Sequence, residues 1–147
     1  MVERSDVERF IDDYRRAFER FDVARVAGYF AFPLHVTGDA AEVTVVSIPT
    51  LEAWLPQIER VVGAYRLLGV ASTRPGDIRI RLVTERIAQV TVDWALDDAQ
   101  DDCVYDFNAS YTLADFGAGL RITAIAHNER PKMMAALARK QAADRTA

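Results

Sequence analysis

Residues 87–96 read IAQVTVDWAL, residues 103–113 read CVYDFNASYTL and residues 120–127 read LRITAIAH. In the first, Ala88, Val90, Val92, Trp94 and Leu96 interleave with Ile87, Gln89, Thr91, Asp93 and Ala95. In the second, Cys103, Tyr105, Phe107, Ala109, Tyr111 and Leu113 interleave with Val104, Asp106, Asn108, Ser110 and Thr112. In the third, Leu120, Ile122, Ala124 and Ala126 interleave with Arg121, Thr123, Ile125 and His127. A strict period of two predicts an antiparallel meander with one apolar and one polar face. The apolar face needs a cover, and the preceding chain supplies one.

Upstream, residues 5–21 place Val7, Phe10, Ile11, Tyr14, Phe18 and Phe21 on one face at helical spacing, with Ser5 and Glu8 as a capping box. Asp22 caps a second short helix, which Pro33 stops. Residues 34–37 and 42–48 read as strands around the Gly38-Asp39 turn. A third helix opens at Pro49-Thr50. It carries the stripe Leu51, Trp54, Leu55, Ile58, Val61, Val62, Tyr65 and Leu68, and stops at Gly69. Pro56 predicts a kink or restart within it, and Gly63 a close approach to the sheet. Arg74-Pro75-Gly76-Asp77 reads as a turn before a strand at Ile78, Ile80 and Leu82. Residues 129–147 read as a tail, with a short helix around Met133, Met134, Leu137 and Ala138 and disorder beyond it.

A single domain is expected for 147 residues, with residues 5–128 as its core. The net charge of -4 and pI of about 5.2 argue against nucleic acid as the main partner, since phosphate binding needs concentrated basic surface. The lone Cys103 excludes an internal disulfide and a cysteine zinc site, and fits a reducing, cytoplasmic compartment. The first residues lack the apolar core of a signal peptide, and no stretch nears the roughly 18 apolar residues of a membrane span.

The element order is helix, helix, strand, strand, helix, then four antiparallel strands. With the stretch from Tyr14 to Val36 (YRRAFERFDVARVAGYFAFPLHV) and the strand Leu120–His127, it resembles the nuclear transport factor 2-like superfamily. This cystatin-like, cone-shaped α+β fold is also found in SnoaL-like polyketide cyclases, ketosteroid isomerase and scytalone dehydratase. The resemblance implies three N-terminal helices on the concave face of a curved, mainly antiparallel sheet of about six strands. It also implies a small-molecule-binding domain of the isomerase, cyclase or dehydratase kind, working without metal or cofactor. The alternative is a non-catalytic dimerisation or interaction module whose cone is filled. Ketosteroid isomerases carry a catalytic aspartate near the end of the first strand. The nearest acid here, Asp39, sits in a turn without matching context, and that role is not carried over.

An aromatic set, Tyr14, Tyr29, Trp54, Tyr65, Trp94, Tyr105 and Tyr111, is expected to converge between helices and sheet. Within it Tyr14, Trp54, Tyr65, Trp94 and Tyr105 are the candidate pocket for a small apolar or aromatic ligand, and both tryptophans should be largely buried. The four aspartates of loop 97–102 lack the glycine and glutamate of a calcium loop, and no histidine spacing suggests a metal. Cys103 shares the apolar parity and reads as a buried, inert thiol; His35 reads as structural.

Folding the meander about residues 99–100 and 116–117 sets Trp94 opposite Tyr105, Asp93 opposite Asp106, and Asp106 opposite His127. Asp93, Asp106 and His127 would then form a row on the polar face, the candidate acid–base group, with His127 charged and its pKa raised. The same face is rich in short polar side chains and carries no lysine. This predicts a homodimer packed sheet to sheet about a two-fold axis, a surface through which the superfamily often dimerises.

Overall fold

The computed structural model describes residues 1–146 of the chain; of the predicted tail, only Ala147 lies outside them. The first helix, α1 (Arg4–Glu19), buries Val7, Phe10, Ile11, Tyr14 and Ala17. Its cap is Glu3 rather than Ser5: the Glu3 N–H donates to Asp6 Oδ2 at 2.8 Å. Asp22 caps α2 (Val23–Ala27) as expected, accepting from the Arg25 N–H at 3.1 Å.

The chain then enters β1 (Phe30–Asp39), longer than its sequence suggests because the strand continues on both sides of Pro33. A turn leads to β2 (Val43–Ile48). Helix α3 (Leu51–Leu68) is capped by Thr50, whose hydroxyl accepts from the Ala53 N–H at 3.3 Å. It passes through Pro56 without a restart and ends at Gly69 with φ 72°. Gly63 does not mark a close approach: a Cβ built there meets nothing within 4 Å.

Strand β3 (Val70–Leu82) absorbs the predicted turn. The Pro-Gly pair falls where the register with the next strand shifts, between Pro75 and Ile78. β3 is an edge strand, where proline and bulges are tolerated. Strands β4 (Ile87–Asp98), β5 (Cys103–Asp115) and β6 (Leu120–His127) form the meander. The six strands make one sheet in the order β2-β1-β6-β5-β4-β3, antiparallel except for the parallel pair β1–β6. The fold is the expected α+β cone, with one addition. Residues 129–146 are not a short helix with a disordered end but an 18-residue helix, α4 (Glu129–Thr146), a fourth helix that buries Met133 and Ala136.

The apolar parity of β4 and β5 holds: Val90, Val92, Trp94, Leu96, Tyr105, Phe107, Ala109, Tyr111 and Leu113 are all buried. The valine, leucine and phenylalanine side chains among them contribute about 1.5–3 kcal/mol each when removed from water. Cys103 is exposed, because the register with β4 shifts between Leu96 and Asp97: Val104 is an extra residue and Cys103 falls out of the apolar alternation. Trp94 is buried, whereas Trp54 is only half-buried, packed edge-on against Phe30 at 5.5 Å between ring centres.

The registers differ from expectation in two ways. Trp94 pairs with Phe107 and Asp93 with Asn108, a slip of two residues that keeps the face. In β6, Leu113 pairs with Ile122 but Thr112 with Ala124, so Thr123 is an extra residue. A one-residue bulge inverts the alternation beyond it. Ile125 therefore turns into the core, Ala126 turns out, and His127 pairs with Ala109 on the apolar face.

Candidate active site in the cone

The inverted end of β6 feeds directly into α4, so the first residue of that helix enters the cone. Glu129 Oε2 accepts two phenol hydrogen bonds, from Tyr65 on α3 at 2.5 Å and from Tyr105 on β5 at 2.8 Å. Its Oε1 has no hydrogen-bond partner among the described residues. Burial holds the Glu129 carboxyl above the usual glutamate range, and the two phenols pull it part of the way back. Burial likewise pushes the phenols of Tyr14, Tyr65, Tyr105 and Tyr111 up, so all four stay protonated and available as donors.

Beside Glu129 lies a cavity of about 40 Å³, walled by aromatic residues of α1, α3, β4 and β5, with Arg15 and Thr73 at its rim. Trp94 Nε1–H donates to the Tyr111 oxygen at 2.9 Å, and the Tyr14 hydroxyl lies close enough to Tyr111 to share a hydrogen bond with it. Tyr14 stands edge-on to Tyr111, with ring centres 5.8 Å apart. At the rim the Arg15 charge is matched by Asp12 at 2.7 Å and Glu19 at 3.1 Å, and Glu19 also accepts from the Thr73 N–H at 2.7 Å. That network ties α1 to β3.

Of the pocket residues read from sequence, Tyr14, Tyr65 and Trp94 border the cavity. Tyr105 stands behind Glu129, and Trp54 lies away from the cavity against Phe30, its Nε1–H buried with no hydrogen-bond partner among the described residues. The predicted row does not form. Asp93 is on the outer face, bonded by Asn108 Nδ2 at 2.6 Å and with Arg79 at 3.5 Å, and these hold its carboxyl below the usual range. Asp106 pairs with Ala95 and takes a salt bridge from Lys132 at 3.3 Å.

The bulge puts His127 on the other face from both acids. Burial lowers its pKa rather than a carboxylate raising it. Its Nδ1 accepts from the Glu129 N–H at 3.1 Å, so the neutral imidazole caps the start of α4. Loop 97–102 spends its acids locally: Asp97 holds Arg74 at 3.0 Å, and Asp98 accepts from the N–H groups of Gln100 and Asp102.

Residues 3–130 match the family described as NTF2-like protein (DUF6841). The chain belongs to this family. No curated protein matches it. Among solved structures it is similar to an NTF2-like protein of unknown function from Shewanella oneidensis, with 13% identity and TM-score 0.67 over 84% of this chain and 97% of that one. A second, from Novosphingobium aromaticivorans, is provisionally assigned as a scytalone dehydratase, with 15% identity and TM-score 0.61 over 84% and 80% of the two chains. A third, from Xanthomonas campestris, is provisionally assigned as a calcium/calmodulin-dependent protein kinase II association domain, with 12% identity and TM-score 0.64 over 87% and 88%. At these identities the likeness is one of fold. No described helix is long and apolar enough to cross a membrane.

Proposed function

We propose that this NTF2-like chain binds a small apolar or aromatic molecule in its cone and moves a proton on it, as a SnoaL-like isomerase, cyclase or dehydratase, with Glu129 as the acid–base group. One observation carries the reading: a half-buried carboxyl beside the cavity has two phenol donors on Oε2 and, among the described residues, none on Oε1. Oε1 is then the atom that takes a proton from a carbon next to a carbonyl. The electron pair moves onto the carbonyl oxygen, where the Tyr111 hydroxyl, held in place by Trp94, stabilises it as a donor. Return of the proton to another carbon is isomerisation; its delivery to a departing hydroxyl is dehydration. Burial brings the Glu129 carboxyl toward the working pH of such a group.

The test is deuterium exchange of 2-tetralone and cyclohexenone in D2O, followed by proton NMR. Wild type should exceed buffer, and Glu129→Gln should lose on the order of 10²–10⁴-fold. Wild-type rates equal to buffer for both ketones overturn the reading.

A second reading concerns assembly and is compatible with the first. Strand β2 exposes apolar residues toward both sheet faces, with Val43 68%, Val45 63% and Val46 46% exposed. Beside it an open groove of about 390 Å³ runs over the outer face, past the small side chains of Thr37, Thr91, Ser110 and Ala126. Small side chains let a second sheet approach closely. This supports a homodimer packed through the outer face about a two-fold axis. Light scattering should find a dimer at micromolar concentration and a monomer for Val45→Lys. A wild-type monomer throughout would remove this reading and leave the first standing.

A further inference from the structure

The cavity is too small for the ligand that its walls suit. A water needs about 10–15 Å³ of such space, and a cavity near 150 Å³ is the size that admits benzene. The cone is partly open to solvent yet offers only about 40 Å³, room for a few waters and no ring. Something that borders it must move, and the bordering elements are not held alike. Among buried residues α1 contributes five and α3 four, whereas the 18 residues of α4 contribute only Met133 and Ala136, with Leu137 packed against the core. From Gln141 onward every described residue of α4 is exposed.

The start of α4 is pinned instead by polar contacts on both sides of one junction. Before it, His127 Nδ1 accepts from the Glu129 N–H at 3.1 Å. After it, the Glu129 carboxyl is held by Tyr65 and Tyr105. Between them Asn128 is outside regular structure, and its Oδ1 accepts from the Asn108 N–H at 2.8 Å, fixing the pivot to β5. Further along, among the described residues, only Lys132 to Asp106 at 3.3 Å and Arg139 to the Val104 carbonyl at 3.3 Å add polar contacts to the sheet, both exposed.

We propose that α4 is the lid of the cone: it pivots at Asn128, is latched shut by Glu129 on Tyr65 and Tyr105, and swings away to admit a ring-sized molecule. The closing motion returns the carboxyl to the cavity, so one movement narrows the cone around its ligand and delivers the acid–base group. This rests on the ligand-binding reading above only for its purpose; the motion itself is testable without a ligand.

Two measurements on the full chain decide it. In native-state hydrogen exchange, amides 133–138 should share one opening and exchange at least about a hundredfold faster than those of β4. The double variant Tyr65→Phe/Tyr105→Phe, or His127→Leu, should raise that opening at least about tenfold and keep it at least about a hundredfold above the opening of β4. His127→Asn, which keeps a side-chain acceptor, should restore it. Amides of α4 that exchange only together with β4, or that fray progressively from Thr146 without response to these variants, overturn the lid.

The second measurement uses 2-naphthol, read by quenching of Trp94. Cys103→Ser, Asp106→Cys and Lys132→Cys are combined and bridged by a short bismaleimide. The bridged protein should take up 2-naphthol at least about a hundredfold more slowly than the unbridged one. Equal rates overturn the lid. If neither form binds 2-naphthol, the ligand-binding reading falls, and hydrogen exchange alone decides the lid.

Discussion

Asp93 and Glu129 are carboxylates on opposite sides of one sheet, and their proton affinities move in opposite directions. Asp93 lies on the outer face in water, where Asn108 and Arg79 favour its charge and lower its pKa. Glu129 lies in the cone, where burial disfavours its charge faster than two phenols can restore it. The lesson is that a carboxylate row in a sequence says little about acid–base chemistry until its side of the sheet is known. A solvated acid with a cation beside it is a committed anion. A desolvated acid with only neutral donors can hold or release a proton near neutral pH.

The largest effect that separates the two sites is catalytic. Glu129→Gln should lower ketone exchange by the orders of magnitude given above, while Asp93→Asn should leave it within about twofold of wild type. A large loss in Asp93→Asn, measured in the same NMR assay, would move the chemistry to the outer face.

Next come the phenols. Tyr65→Phe or Tyr105→Phe removes one hydrogen bond to a buried, ionisable group, and each should cost about 1.5–3 kcal/mol in urea unfolding. A cost near zero for both would mean that the carboxyl is not desolvated.

The pH dependence of stability sharpens the contrast further. Glu129 has a raised folded pKa, so its contribution is present below the ordinary glutamate value of about 4.3 and is lost as pH rises through the folded value. His127 runs the other way. Its folded pKa is lowered, so its contribution is present above about 6.5 and is lost as pH falls through the folded value. Urea midpoints from pH 4 to 9 should therefore show Glu129→Gln gaining on wild type as pH rises, and His127→Asn gaining as pH falls. Parallel curves would show that neither group titrates differently on folding.

The smallest effect belongs to Asp93. Asp93→Asn should only soften the acid limb, because a lowered pKa adds stability above the ordinary aspartate value that is lost as pH falls through the folded one. An unchanged acid limb would assign the Arg79 and Asn108 contacts no net effect.

Much of this architecture is legible in the chain. The alternation in β4 and β5 predicts which residues are buried because those strands pair without interruption over the stretch from Ala88 to Leu96. The cone's aromatic content is legible for the same reason: Tyr14, Tyr65, Trp94, Tyr105 and Tyr111 all reach the interior on elements read correctly from periodicity. Two features were not. The bulge at Thr123 has no local mark, since threonine is an ordinary strand residue and no glycine signals the irregularity. Counting alternation through it put His127 on the wrong face.

Glu129 was missed because the residues after the last strand read as tail. A signal was present in Asn128-Glu129-Arg130-Pro131, a cap-type residue followed by an acid and a proline in a first turn, with Met133, Ala136 and Leu137 at helical spacing beyond. Trp54 illustrates a different limit. Its stripe predicts the helix correctly, but periodicity does not tell whether a bulky residue near a helix start meets the cavity or a neighbouring ring.

The extra residue in β6 has a consequence for how chains of this fold diverge. Upstream of Thr123 the strand keeps step with β5; downstream every side chain, and the helix that follows, is turned to the other side. A change of one residue in length costs the sheet only a local break in its ladder. It nevertheless exchanges what the C-terminal segment presents to solvent for what it presents to the interior. Two relatives that superpose closely strand for strand, but differ by one residue here, would line their cones with different chemistry. In this fold the length of the last strand is as much a determinant of the interior as the identities of the residues in it.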